Sequence, residues 1–187
     1  MRAYPRAVIG SVATLPAFDG DALIRALDAQ RAGRELLWTS LADELWSQSA
    51  ELNERLMEGH AMCSGALVRT AHRKTMSCQY ALILLRWLHR APEDFLSGPA
   101  VQVGEVALPA AGPDRRLRWD LGELHAALNE HRRERGLTWA GLGQLLECTP
   151  NRLTNLRTAR LADMGLVMRI AQWLGRPAAD FIHPAEW

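Results

Sequence analysis

The stretch LTWAGLGQLLECTPNRLTNLR, residues 137–157, predicts two short helices joined by a tight turn. Thr138 is a favourable N-cap for the first helix, which is expected to span about residues 139–147. Thr149 can cap the second helix, and the proline that follows it stands at the first helical position, where its missing N–H costs nothing. The first of these helices also carries apolar side chains, at Leu142, Leu145 and Leu146.

Helical signals continue on both sides of this stretch. Asp120 and Glu123 form a capping box for a helix that is expected to run to about Arg135. Asp163 can cap a fourth helix, and a last turn around residues 178–182 closes the unit. The sequence therefore predicts a small unit of five short helices.

The chain contains this unit twice. Residues 23–45 match residues 124–146 at a constant offset of 101, and residues 84–96 match residues 170–182 at an offset of 86. The difference of 15 residues indicates an insertion in the first copy, whose second helix is expected to be lengthened to about residues 38–58. Self-similarity of this kind indicates one fold used twice.

These patterns divide the chain into four segments. They are a tail over residues 1–18, a first domain over 19–97, a linker over 98–118 and a second domain over 119–187. Glycine and proline mark both ends of the linker, which favours a connection without a helix. The predicted fold is all-α, with two tandem domains of five helices each.

The composition is that of an ordinary globular protein. The chain has 187 residues, of which 48% are hydrophobic and 23% charged, and no apolar stretch reaches the length of a membrane helix. Three cysteines without a CxxC pair favour reduced thiols, and hence the cytoplasm, over a disulfide framework.

The distribution of charge is more informative than its sum. The net charge is only +1, but no acid lies between Glu58 and Glu93 or between Glu147 and Asp163. Both windows contain arginines and fall at the same place in the repeat. This coincidence favours a cationic binding surface, although a solvated charged face is the simpler alternative.

Residues 137–157, together with the helices that follow as far as Ile182, resemble the Cro/repressor-type (XRE-like) helix-turn-helix family, whose domains have a lambda-repressor-like fold. The resemblance covers about residues 119–182 and, more loosely, residues 19–96. In this family the second helix of the motif is the recognition helix, which lies in the major groove of DNA. The resemblance therefore implies double-stranded DNA as a partner.

The resemblance also implies which residues of the second copy are buried and which bind DNA. The packed inner face is expected to consist of four leucines: Leu142, Leu146, Leu153 and Leu156. Asn151, Arg152 and Asn155 match exposed early positions of the recognition helix, and these side-chain types can hydrogen-bond adenine and guanine. The other candidates are Thr138 and Thr149 at the two helix starts, Arg157, which replaces a common glutamate, and Arg160 at a phosphate-binding position.

The first copy offers less to a base pair. Gly65 and Ala66 stand opposite Asn151 and Arg152 and provide no side-chain hydrogen bond. Its candidate DNA contacts are Ser64 at the helix start and the cations Arg69, Arg73 and Lys74, which could bind phosphates. We therefore expect the first copy to position the protein and the second to specify the sequence. The alternative is a first copy that serves for dimerisation or partner binding.

Other kinds of site have little support. His60, Cys63, His72 and Cys78 could ligate zinc, but their spacing fits no closed site, and Cys78 aligns with the apolar Met164, which favours core packing. The tryptophans that recur at equivalent positions are also expected in the core: Trp38, Trp139, Trp87 and Trp173. No catalytic constellation or phosphate loop is present, so we expect neither an enzyme nor a bound cofactor or metal.

The sequence thus predicts a cytoplasmic, sequence-specific DNA-binding transcriptional regulator without a membrane partner. Its linker could extend to about 66 Å, against about 34 Å for one turn of DNA. One chain could therefore act as an intramolecular pseudo-dimer, with a homodimer as the other possibility. The alternative function is a protein-interaction module of the same fold, such as an antitoxin-like or adaptor protein.

Overall fold

The computed structural model describes residues 15–49, 65, 67, 75–101, 103 and 106–186. The elements of the first copy are β1 (Ala17–Phe18), α1 (Gly20–Gly33), α2 (Trp38–Trp46), α3 (Cys78–Leu88) and β2 (Leu96–Ser97), with 3-10 turns at Ser47–Ser49 and Pro92–Phe95. Those of the second copy are β3 (Arg116–Trp119), α4 (Leu121–Glu134), α5 (Trp139–Leu145), α6 (Pro150–Thr154), α7 (Met164–Leu174) and β4 (Ile182–Ala185), with 3-10 turns at Asn155–Arg157 and Ala178–Phe181.

Each copy is closed by a short antiparallel strand pair. β1 pairs with β2, with Phe18 opposite Leu96, and β3 pairs with β4, with Trp119 opposite Ile182. These two residue pairs are equivalent at the offsets of the sequence repeat. The strands therefore belong to the repeated fold and join the beginning of each copy to its end.

The prediction of an all-α fold with two five-helix domains is wrong in two respects. Each copy contains a strand pair, and the fifth helix predicted for each copy is a 3-10 turn that leads into the last strand. The strands are two to four residues long and pair with the far end of the copy, so the local alternation that predicts a strand is too short to be recognised.

The lengthened second helix of the first copy is described in part. α2 passes into the 3-10 turn Ser47–Ser49, and the rest of the predicted extension, to about residue 58, lies outside the described residues.

The first helix of each copy starts in the same way. The side chains of Asp19 and Asp120 accept a hydrogen bond from the N–H of Ala22 and Glu123, which satisfies one free donor of each helix start. Their backbone angles agree closely, with φ −89° and ψ 89° at Asp19 and φ −89° and ψ 87° at Asp120. The duplication is therefore preserved down to the caps.

A continuous cluster of buried side chains runs through both copies. The four leucines predicted on the inner face of the second copy, Leu142, Leu146, Leu153 and Leu156, are at most 2% exposed, which confirms that prediction. The four recurring tryptophans are buried or packed against the core, as predicted: Trp38, Trp87, Trp139 and Trp173. An arginine at an equivalent position covers the first ring of each copy, Arg31 over Trp38 and Arg132 over Trp139.

The segment between the two copies is held against them. The guanidinium of Arg86 in α3 donates to the carbonyl oxygens of Ala111, Gly112 and Arg115. At the equivalent position of α7, the side-chain oxygen of Gln172 accepts from the N–H of Val101. The connection therefore does not act as a free spacer, and its fully extended reach does not set the separation of the two copies.

Of the helices in the described ranges, none combines the length and the apolar character that crossing a membrane requires.

Candidate nucleic-acid interface

α5, a four-residue turn and α6 form the helix-turn-helix of the second copy. The Thr138 hydroxyl accepts from the N–H of Gly141 at 3.1 Å and so caps α5 as predicted. In the turn, Glu147 has a φ of 51°, and the N–H of Cys148 donates back to the carbonyl oxygen of Gly143 at 2.9 Å. This left-handed residue reverses the chain sharply enough to bring α6 against α5.

A glycine makes the close contact between the two helices. A Cβ atom built on Gly143 would lie 2.7 Å from the carbonyl oxygen of Cys148 and 3.4 Å from the ring of Pro150. Real Cβ atoms essentially never come within 3.0 Å of a carbonyl oxygen. The angle at which α6 is presented therefore depends on the absence of a side chain at position 143.

α6 and the 3-10 turn after it have one buried and one exposed face. Leu153 and Leu156 are at most 2% exposed and anchor the segment to the core. The exposed side chains are the predicted DNA-binding residues together with the helix start: Thr149, Asn151, Arg152, Asn155, Arg157 and Arg160. These six residues are thus all exposed within a stretch of 12 residues, and Thr138 is exposed at the start of α5.

Two carboxylates border this surface, and neither was assigned to it from the sequence. The guanidinium of Arg152 lies 3.9 Å from Asp163, and that of Arg169 lies 3.3 Å from Glu147. The Arg152 side chain is 47% exposed, so its ion pair is solvated and weak. A phosphate, or the acceptor atoms of a guanine edge, can therefore compete with Asp163 for Arg152.

The positive charges of the arginines lower the pKa of a nearby histidine. Burial lowers the pKa of His125, and the charges of Arg157 and Arg132 lower it further. His125 stacks on Trp139, the first residue of α5, with ring centroids 5.5 Å apart. Its imidazole is therefore neutral at pH 7, and the positive charge of the surface comes from arginine.

Cys148 in the turn is also influenced by nearby arginines. Burial raises the pKa of its thiol, while the charges of Arg169 and Arg152 act in the opposite direction. The charges of Arg169 and Arg152 are thus close enough to this turn to act on the Cys148 thiol.

The predicted sites of the first copy are less fully described. Ser64, Arg69, Arg73 and Lys74 lie outside the described residues. Gly65 and Leu67 are helical, and Leu67 is fully buried like its equivalent Leu153. At the start of α2, Leu37 occupies the position of Thr138; it makes no side-chain cap and is 70% exposed.

The zinc hypothesis has only one residue within the described part of the chain. Cys78 is 1% exposed, and burial raises the pKa of its thiol to about 11, which suits a packed residue rather than a ligand. His60, Cys63 and His72 lie outside the described residues. The described ranges contain no group of three or more histidine, cysteine or acidic side chains that could hold a metal ion.

Sequence reasoning missed Asp163, Glu147 and His125 as neighbours of the candidate surface. Asp163 was recognised only as a helix cap, which it is, because its side chain accepts from the N–H of Leu166 at 3.1 Å. Its second role, beside Arg152, depends on the packing of α6 against the start of α7. The absence of acids between residues 147 and 163 was the one local signal, since it places both carboxylates at the edges of the surface.

No protein-family model, no curated protein and no solved structure matches this chain.

Proposed function

We propose that this protein is a cytoplasmic, sequence-specific DNA-binding regulator of transcription and that α6 enters the major groove. The observation that carries the proposal is the division of residues 150–160 into a buried face of leucines and an exposed face of amide and cationic side chains. The resemblance to XRE-like helix-turn-helix domains supports the same assignment for the same residues.

The exposed residues divide into two roles. Asn151 and Asn155 are four residues apart, so they lie on the same side of the segment, and Arg152 lies next to Asn151. Asparagine can bind adenine through two hydrogen bonds, and arginine can bind guanine in the same way. Arg157 and Arg160 follow the helix and have the charge but not the position for base edges, so we assign them to phosphates.

The first experiment measures fluorescence anisotropy of the full chain with a pool of random duplexes at roughly 50 and 200 mM salt. Binding to phosphates releases counterions, so we expect affinity to fall steeply at the higher salt. Absence of binding at both concentrations would contradict the proposal.

Single alanine variants separate the two roles. Arg152→Ala should cost roughly 5- to 150-fold in affinity for the preferred sequence and relax the preference at one base pair. Arg160→Ala should weaken binding to all sequences alike and reduce the salt slope by about one. Arg133→Ala is the matched control, because Arg133 is exposed at the end of α4 and outside the helix-turn-helix.

The substitution Asp163→Asn should strengthen DNA binding, whereas the alanine variants should weaken it. Asparagine caps a helix as well as aspartate does, so α7 should keep its start. The substitution removes the carboxylate that lies 3.9 Å from Arg152, and we expect tighter binding by up to about fivefold. Weaker binding in a folded Asp163→Asn variant would contradict the role of Arg152.

A protein-interaction module of the same fold is the alternative. It is favoured by three leucines that are at least 36% exposed, Leu37, Leu145 and Leu161. An apolar interface would respond little to salt, whereas a phosphate interface responds strongly. The salt series therefore distinguishes the two functions.

A further inference from the structure

The two copies contact each other through hydrogen bonds that are images of one another. The N–H of Cys78 donates to the carbonyl oxygen of Ala162 at 2.8 Å, and the N–H of Met164 donates to that of Met76 at 2.8 Å. Residues 76 and 78 are equivalent to residues 162 and 164 at the offset of 86. Each copy therefore presents the same backbone segment to the other, which is the arrangement of an isologous dimer interface.

The contacts between helices and strands of the two copies are also equivalent when the copies are interchanged. α3 of the first copy contacts β3 of the second, and α7 of the second contacts β1 of the first. α3 and α7 also contact each other. The face that would join two identical chains around a twofold axis is thus already occupied within one chain.

Two side chains also donate hydrogen bonds between the copies, but these bonds do not follow the symmetry of the backbone. The indole N–H of Trp119 donates to the carbonyl oxygen of Cys78 at 3.0 Å, and the amide of Gln79 donates to that of Leu117 at 2.8 Å. The equivalents of Trp119 and Gln79 are Phe18 and Gly165, which cannot donate these bonds. The two copies have therefore diverged around a backbone that keeps its pseudo-twofold relation.

The surfaces that would face DNA have diverged as well. Leu37, which is 70% exposed, stands where the second copy has the capping Thr138. Gly65 stands where the second copy has the exposed Asn151. Symmetric dimers bind palindromic sites because the twofold axis of the protein coincides with that of the DNA. A pseudo-dimer with unlike surfaces has no reason to select a palindrome.

We propose that a single chain binds one asymmetric, non-palindromic DNA site. The half of the site beneath α6 is selected by sequence, and the half beneath the first copy is tolerant of sequence. This inference rests on the proposed DNA-binding function, and it adds the stoichiometry and the symmetry class of the target.

The test selects preferred sequences from a random pool of duplexes of about 30 base pairs with the full chain at roughly 50 mM salt. The number of chains per selected duplex is then measured by sedimentation equilibrium. We expect one chain per duplex and an enriched motif without internal twofold symmetry. Each wrong base pair in the selected half should weaken binding by roughly 5- to 150-fold, whereas changes in the other half should have an effect of less than about twofold.

Two single variants test the unequal roles of the two copies in selecting the DNA sequence. Asn151→Ala should abolish the preference at one base pair of the selected half while keeping the salt slope, with circular dichroism to verify folding. Leu37→Thr alters the equivalent of Thr138 in the first copy and should leave the selected motif unchanged.

The outcomes are distinct. Two chains on a palindromic motif, or one chain on a palindromic motif, would overturn this inference while leaving DNA binding intact. Absence of binding even at the low salt concentration would overturn the proposed function and this inference with it. One chain on an asymmetric motif supports both.

Discussion

Ser77 and Asp163 occupy equivalent positions of the two copies and are antiparallel bridge partners of each other. Each also caps the helix that follows it, since their side chains accept from the N–H groups of Tyr80 and Leu166. A residue that pairs with its own repeat equivalent lies next to the axis that relates the copies. The duplication has therefore produced two copies that pair with each other within one chain.

The left-handed helix ends of the two copies provide a matched stability test. Gly136 and Gly175 have φ values of 64° and 65°, while their equivalents in the first copy, Glu35 and His89, have φ values of 55° and 53°. No atom lies within 4 Å of a Cβ built on either glycine, so only conformational strain opposes a side chain there. Gly136→Ala and Gly175→Ala should each lower the free energy of unfolding by about 1 kcal/mol. Glu35→Gly and His89→Gly should raise it by about 0.5 kcal/mol, because relief of strain exceeds the entropy cost of glycine.

Urea unfolding followed by circular dichroism measures all four variants. If Glu35→Gly and His89→Gly lowered the free energy of unfolding as much as Gly136→Ala and Gly175→Ala do, backbone strain at Glu35 and His89 would be contradicted.

Two glycines of α5 should respond oppositely to the same substitution. The Cβ of Gly143→Ala would lie 2.7 Å from a carbonyl oxygen, so α6 must shift, and we expect a loss of roughly 1–3 kcal/mol. Gly141→Ala meets only an ordinary contact at 3.5 Å and should stabilise the protein by up to about 1 kcal/mol. The midpoints of urea unfolding measure both changes in stability. A Gly143→Ala variant as stable as the unsubstituted protein would show that the turn is not tightly packed.

Trp119→Phe should weaken the contact between the copies. The substitution installs the residue type that the first copy has at its equivalent, Phe18, and removes the hydrogen bond to the carbonyl oxygen of Cys78. We expect a loss of about 1–2 kcal/mol and faster hydrogen exchange at the amides of Cys78 and Met164, which donate across the interface.

Trp87→Phe is the control for that experiment. It removes a comparable bond, from the Trp87 indole to Glu44, but within the first copy. If both variants accelerated exchange at Cys78 and Met164 equally, Trp119 would have no special role between the copies.

Glu93 should make stability fall with rising pH in the weakly acidic range. Burial raises the pKa of its carboxyl above the ordinary value of 4.5, and Asp94 and Asp180 add to this, although the N–H of Ala178 donates to it at 2.6 Å. Between the ordinary and the raised pKa the folded protein binds more protons than the unfolded chain, so the contribution of Glu93 to stability decreases as the pH rises through that window.

Glu93→Gln keeps the acceptor for Ala178 but cannot ionise. We therefore expect this variant to gain stability relative to the natural protein as the pH is raised from about 4 to 7. Urea unfolding at a series of pH values measures the difference. A difference that does not change with pH would contradict a raised pKa for Glu93.

The local chemistry of the helices could be predicted from the chain. Asp120, Thr138 and Asp163 cap helices, because a cap involves a side chain and a backbone N–H only three residues apart. The reciprocal half of the capping box predicted for Asp120 and Glu123 is not formed, since the N–H of Asp120 donates to the carbonyl oxygen of Phe181. The exposure of Asn151, Arg152 and Asn155 also follows from local spacing, since Leu153 and Leu156 fix which face of the segment is buried.

Relations between distant segments could not be predicted in this way. The pairing of Trp119 with Ile182 and the approach of Asp163 to Arg152 join residues with no shared local pattern. The strand pairs in particular were not predicted, because strands of two to four residues carry no usable period, and the turns predicted as fifth helices are 3-10 turns.

The sequence by itself determined that one unit occurs twice, where most of its helices begin, and which side chains of the second copy face solvent. These features depend on spacing and on neighbours within a turn or two of helix. Only the tertiary structure decided that the two copies are related by a pseudo-twofold axis, that the connecting segment is bound by Arg86 and Gln172, and that strands close each copy. These features depend on backbone groups, which every residue possesses. The residue types therefore do not predict them, and only the packing of the core brings the groups together.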